Sequence, residues 1–181
     1  MPKIVDHESR RREIALKATE VFLEFGYKNI GMRQLCEQLG MSKSAVYHYY
    51  KSKDALFKAA TEAIVNFDAE VLADRPNSSE ASTEQQVENF VLIFQQMAPR
   101  FFQEMKLVSD YIDVIGRENI ATDPCMLLAN QKYITMLENY VSAKHKESLY
   151  TLILGLLNHQ LMLGKALEEA YVIEQVERIL G

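Results

Sequence analysis

Between Met32 and Tyr50 two short helical segments flank the four residues Leu39-Gly40-Met41-Ser42, and few folds accommodate that arrangement. Leu35, Cys36 and Leu39 fall on one side of a helix over Met32–Leu39. Gly40 follows where the chain must turn sharply, because glycine alone takes a left-handed backbone without a Cβ clash. Ser42 then offers its hydroxyl to the unpaired amides of a second helix, Lys43–Tyr49. Val46 and Tyr50 stand four apart and face inward, which leaves Lys43, Ser44, Ala45 and His48 outward. A helix with small and polar residues outward fits the major groove of DNA, about 12 Å wide. Around it Arg33, Tyr47, Tyr49, Lys51 and Lys53 can bond phosphate oxygens. The pattern predicts a helix-turn-helix over Gly31–Tyr50.

The rest of the chain also reads as helix. Ile14, Ala18, Val21, Phe22 and Phe25 recur at three- and four-residue spacing, which predicts a helix over Ser9–Phe25 ended by Gly26. A long helix runs from Asp54 to about Leu72, before a polar loop interrupted by Pro76. Thr83 with Gln86 resembles a capping box, Pro99 breaks the helix that follows, and Pro124 suits the first turn of the next. Further helices are predicted at 124–143, 147–168 and 171–180. With only seven Gly, four Pro and no alternating β-branched run, the class is all-α.

Charge sharpens the division. The net charge of -5 argues against nucleic acid when taken alone. Residues 1–60, however, carry eleven Lys and Arg against seven Asp and Glu, a net +4, so the acidic excess lies wholly in the remainder. Cys36 and Cys125 form no CxxC pair, which points to a reducing cytosol. Cys125 stands by a predicted helix N-terminus, where a redox-active thiolate is conceivable. Met1–Asp6 contain no signal-peptide core, and Leu149–Gly164 is too short and too interrupted to span a bilayer. His7, His48, His145 and His159 lack metal-ligand spacing, and Glu168-Glu169 reads as a solvated turn. No nucleophile elbow, phosphate loop or supported carboxylate pair is present, so the expectation is a chain that is no enzyme and needs no cofactor or metal.

At this point the sequence resembles the TetR-type (TetR/AcrR-like) transcription regulators. The resemblance is carried by Ile14-Ala15-Leu16-Lys17-Ala18-Thr19-Glu20-Val21-Phe22-Leu23-Glu24-Phe25-Gly26-Tyr27, by Met32-Arg33-Gln34-Leu35-Cys36, and by Leu39–Leu56, which contains Ser42-Lys43-Ser44-Ala45-Val46-Tyr47-His48-Tyr49-Tyr50. It implies an N-terminal, homeodomain-like three-helix domain over 1–53 and a helical effector-binding and dimerisation domain over 54–181. It further implies that Ser42, Lys43 and Ser44 open the recognition helix, with Lys43, Ala45 and His48 near base edges. Tyr47 and Tyr49 would lie on the DNA backbone, and Arg33 and Lys53 would hold phosphates. Arg10-Arg11-Arg12 is either a solvated face or an arm reaching DNA. Two positions depart from the usual pattern: Gly31 stands where Thr or Ser is common, and Ser44 where Gly or Pro is common.

Beyond Leu72 only the architecture carries over. Phe67, Phe90, Phe94, Met97, Met105, Tyr111, Tyr133 and Met136 are the bulky, adaptable residues that would line an apolar effector pocket, and they are also ordinary core material. The helix at 147–168 carries Leu149, Leu152, Ile153, Leu156, Leu157, His159 and Leu163 around most of its circumference. Such a helix must be buried on every side, which predicts packing on its own core and on a second copy. The expected whole is a cytoplasmic homodimer that reads a palindromic operator in double-stranded DNA, most simply a repressor released by a small, largely apolar effector.

Overall fold

The computed structural model describes residues 6–181, so the expectation of no signal-peptide core at the N-terminus lies outside the described residues apart from Asp6. All regular structure among those residues is helical. The elements are α1 (His7–Phe25), α2 (Met32–Gln38), α3 (Lys43–Tyr49), α4 (Lys53–Glu70), α5 (Thr83–Met97), α6 (Phe101–Ile115), a 3₁₀ turn (Arg117–Asn119), α7 (Pro124–Tyr140), α8 (Lys146–Leu163) and α9 (Glu169–Leu180). The fold is all-α with an N-terminal helix-turn-helix. No described helix is long and apolar enough to cross a membrane.

Local chemistry sets the ends of these helices. Asp6 caps α1 by accepting the Glu8 and Ser9 amides at 3.1 and 3.3 Å, so the helix starts before the expected Ser9. Gly26 and Gly40 both adopt positive φ, +77° and +63°, where a side chain would be strained. The capping box of α5 is Ser82 with Gln85 rather than Thr83 with Gln86. Serine caps better than threonine, and Gln86 instead donates to the Ser78 carbonyl at 3.0 Å. Gly164, at φ +65°, ends α8 short of the expected residue 168. Glu168 and Glu169 are therefore no solvated turn but the opening of α9, where acidic charge suits the helix dipole.

The chain divides into two compact units, and neither is cut at the expected 53/54 boundary. The first comprises the chain up to Ile64 together with Gln103–Ala129. Its core joins Ile14, Phe22, Leu35, Val46 and Tyr50 to Leu56 and Phe57 of α4, Leu107 and Tyr111 of α6, and Cys125. Helices α1–α3 do not bury Phe22 and Tyr27 alone. Phe57 meets the edge of Phe22 at 5.0 Å, and Tyr111 packs against Tyr27 at 4.8 Å and Phe57 at 4.6 Å.

The second unit comprises Val65–Phe102 and Asn130–Gly181, with α5, α8 and α9 packed together. Its core includes Phe90, Ile93, Leu137, Leu149, Ile153, Leu157, Val172 and Val176. This packing corrects the expected partner face of α8. Leu149, Ile153, Leu156 and Leu157 are buried in their own protomer and have no surface left to offer, while Leu152 is half-buried. His159 and Leu163 do face outward, in the company of Gly155, Met162 and Tyr171.

Candidate nucleic-acid interface

Helix α3 is held from both ends. Ser42 accepts the Ala45 amide at 3.2 Å, and its hydroxyl lies 3.1 Å from that of Ser44. Val46 and Tyr50 are buried beneath it, as expected for residues that anchor rather than contact. Tyr50 donates to the Arg11 carbonyl at 2.9 Å, and the Arg11 guanidinium lies over its ring at 4.8 Å. Arg11 is thus bound to α3, a role the sequence pattern did not signal. Lys43, Ser44 and His48 are exposed; Ala45, Tyr47 and Tyr49 are half-buried.

Lys43 on this helix and Lys51 just past its end are tied to Tyr47. The Lys43 ammonium stands 5.6 Å from the Tyr47 ring, and Lys51 donates to the Tyr47 carbonyl at 2.9 Å, satisfying an otherwise open helix end. Arg33 pairs with Glu37 at 3.0 Å on an exposed helix face, an arrangement so weak that a phosphate can replace it. Arg10 is committed to Glu13 at 2.5 Å, while Arg12 is exposed. Hydrogen bonds from Lys17 and then Arg10 hold the Glu13 carboxyl below the usual carboxylate range.

Lys53 has a structural task beside any contact with DNA. Its ammonium donates to the Tyr27 and Ile30 carbonyls at 3.0 and 3.2 Å and sits 4.1 Å from the centre of the Tyr27 ring. It therefore closes the α1–α2 connector, and Tyr27 is fixed further by donating to Asp54. Burial, and then that carboxylate, push the Tyr27 phenol far up, so it stays a donor. Lys53→Met is expected to cost about 1.5 kcal/mol of stability in urea denaturation, from the lost charge-assisted bonds. An unchanged midpoint would contradict the assignment.

The expected effector residues do not form one group. Phe90, Phe94, Met97 and Met136 belong to the core of the second unit, with Tyr133 packed against it, whereas Phe67 and Met105 are exposed. Tyr111 belongs to the first unit's core and donates to Asp123 at 2.9 Å. Within the second unit, a recess of about 300 Å³ is lined by Val91, Phe94, Ala98, Pro99, Leu167 and Val172, with Gln95, Gln160 and Glu169 as polar members. Only Phe94 of the expected set reaches it.

One further feature escaped the sequence. Asp68 on α4 is fully buried, pairs with Arg100 and accepts the Tyr133 hydroxyl at 2.8 Å. A charged residue on an otherwise apolar helix face was the available signal. Cys125 is buried, and burial pushes its thiol up, which removes the thiolate that a redox role requires. No cluster of three or more His, Cys, Asp and Glu able to hold a metal occurs among the described residues.

Residues 14–60 match the family model for bacterial regulatory proteins, tetR family. The chain is 44% identical over 61 residues to the HTH-type transcriptional repressor Rv1474c of Mycobacterium tuberculosis, the match covering 33% of each. It is 36% identical over 64 residues to the HTH-type transcriptional regulator PksA of Bacillus subtilis, covering 35% of this chain and 31% of that protein. The matched stretch thus spans about a third of these curated relatives. The fold extends the likeness. The multidrug binding protein EbrR, solved with imidazole, superposes with a TM-score of 0.65 over 94% of both chains at 16% identity.

Proposed function

We propose that this chain, which belongs to the tetR family of bacterial regulatory proteins through its N-terminal domain, is a sequence-specific DNA-binding transcription regulator. The observation that carries the proposal is α3, a short helix capped by Ser42 and anchored by Val46 and Tyr50, with Lys43, Ser44 and His48 turned to solvent. Lys43, Ser44 and His48 would read base edges. Arg33, Tyr47, Tyr49, Lys51 and the remaining N–H of Lys53 would hold phosphates, which position the helix without reading sequence. Ser42 has its hydroxyl on Ala45 and serves as the cap. The matched relatives named as regulators rather than enzymes support the same class.

The protein acts as a homodimer in this proposal, because one short recognition helix makes too few contacts for specific binding and two read a palindrome with half-sites about 34–36 Å apart. The partner face is the outward side of α8 with the start of α9, where Gly155, His159, Met162, Leu163 and Tyr171 are exposed. A Cβ on Gly155 would meet nothing within 4 Å, so no contact inside the protomer requires a glycine there. Close approach of a second copy accounts for it. Repression, relieved by a small and largely apolar effector held in the second unit, is the regulatory sense proposed. The recess beside Phe94 and the repressor name of the Mycobacterium tuberculosis relative support it. Such a protein works in the cytoplasm, where the DNA is.

Selection from a random-sequence duplex pool with the purified chain tests the proposal. The expected result is an enriched palindrome whose binding weakens steeply with salt. A pool that stays unenriched would overturn the regulator function.

A further inference from the structure

We infer that the DNA-binding surface extends from α3 onto the first turn of α1, where His7 and Tyr49, beside His48, form a phosphate clamp whose hydrogen bonding is linked to proton uptake. The inference rests on the DNA-binding role proposed above and adds a residue, His7, outside the helix-turn-helix.

Three polar rings gather at this point. The His7 ring lies 5.8 Å from that of His48 and 6.1 Å from that of Tyr49, and His48 meets Tyr49 edge-on at 4.9 Å. The Tyr49 hydroxyl is 3.5 Å from Nδ1 of His7, a long hydrogen bond. The juxtaposition is built, since the next turn of α1 is fastened to the end of α3 by the Arg11–Tyr50 hydrogen bond and stacking. Packing does not explain it, because His7 and His48 are both exposed. Polar rings collected on the edge of a recognition helix are placed to donate to an anion.

The hydrogen bond between Tyr49 and His7 can run in two directions. With His7 neutral and its proton on Nε2, the Tyr49 hydroxyl donates to Nδ1 and is spent within the protein. With His7 protonated, Nδ1–H donates to the phenol oxygen instead. The Tyr49 O–H is then released to a phosphate oxygen, and Nε2–H of the cationic ring can join it. A DNA phosphate therefore favours the protonated form, and by reciprocity protonation favours DNA. Imidazoles make this change between about pH 5 and 8.

Most charged groups on the adjoining elements are committed to other partners. On α1, Asp6 accepts the Glu8 and Ser9 amides, Arg10 is paired with Glu13, and Arg11 lies over Tyr50. On the α3 side stand His48 and Tyr49, with the Lys51 ammonium turned back onto the Tyr47 carbonyl. Because the clamp holds phosphate, its effect is the same for every DNA sequence.

The test is fluorescence anisotropy of the full chain with a labelled random-sequence duplex of about 30 base pairs, at about pH 6 and about pH 8 and fixed ionic strength. The wild type is expected to bind about fivefold more tightly at the lower pH, with a log-affinity against log-salt slope steeper by about 0.9. His7→Gln and Tyr49→Phe should each lose most of that difference while keeping the wild-type helical circular dichroism. His145→Gln, in the second unit, should keep it. Persistence of the full pH difference in His7→Gln and in Tyr49→Phe overturns the clamp and leaves DNA binding standing. Should either variant misfold, the other decides alone. A wild type that binds no DNA at either pH overturns both the clamp and the function beneath it.

Discussion

Leu157→Glu is expected to unfold the second unit, whereas Met162→Glu, on the same helix, is expected to leave each protomer folded and to separate the proposed dimer. Leu157 is 1% exposed in a core with Phe90, Ile153 and Val172, and Met162 is 77% exposed. A carboxylate at Leu157 would lose the packing of a buried leucine, about 2–5 kcal/mol, and bury an unpaired charge besides. Together these approach the whole stability of an ordinary domain, about 5–15 kcal/mol. At Met162 the loss falls on the partner contact and is counted twice by two-fold symmetry, about 3 kcal/mol or roughly a hundredfold in dimer dissociation. Circular dichroism with light scattering separates the two outcomes. A folded dimer from Leu157→Glu would remove that residue from the core, and an unchanged dimer from Met162→Glu would remove the proposed face.

Arg100→Met should cost about 3 kcal/mol at neutral pH, because it strands a buried carboxylate. Asp68 is 0% exposed, and Arg100 is 27% exposed beside it with Phe67 under its guanidinium. Burial pushes the Asp68 carboxyl up, and Arg100, then the Tyr133 hydroxyl, oppose that shift. Removing Arg100 lets the carboxyl rise further. A carboxyl raised in the folded state contributes stability that is fully present below its unfolded value and lost as pH rises through the folded one. The deficit against wild type is therefore expected to be small near pH 4 and to grow toward about pH 7. Urea denaturation at both ends of that range measures it. A deficit independent of pH would show that Asp68 does not carry the effect.

These two cases mark where sequence patterns stop informing. Helix α8 is apolar around nearly its whole circumference, so its periodicity cannot tell the side turned to its own core from the side left for a partner. Leu149 and Leu157 look no different from Leu163 until α5 and α9 are packed against them. The Asp68–Arg100 pair joins residues of α4 and the α5–α6 turn, and no local spacing announces such a contact. Cys125 illustrates a competition: its place in the first turn of α7 favours a thiolate, but desolvation in the first unit's core outweighs that and holds the thiol protonated. Several effector candidates lie in the cores of the two units for a related reason, since methionine and aromatic residues fill cores and line pockets with the same chemistry.

Helix α3 lies at the other extreme. Gly40, Ser42 and the inward pair Val46 and Tyr50 act over a turn or two of chain, so composition and spacing alone determine where α3 begins, where it ends and which side chains it shows. Tertiary structure decided what stands beside that helix: His7 against Tyr49, Arg11 on Tyr50, and Lys53 drawn back onto the α1–α2 connector. Each of those contacts joins residues more than twenty positions apart. Its free energy depends on how the helices pack and not on any pattern within one of them.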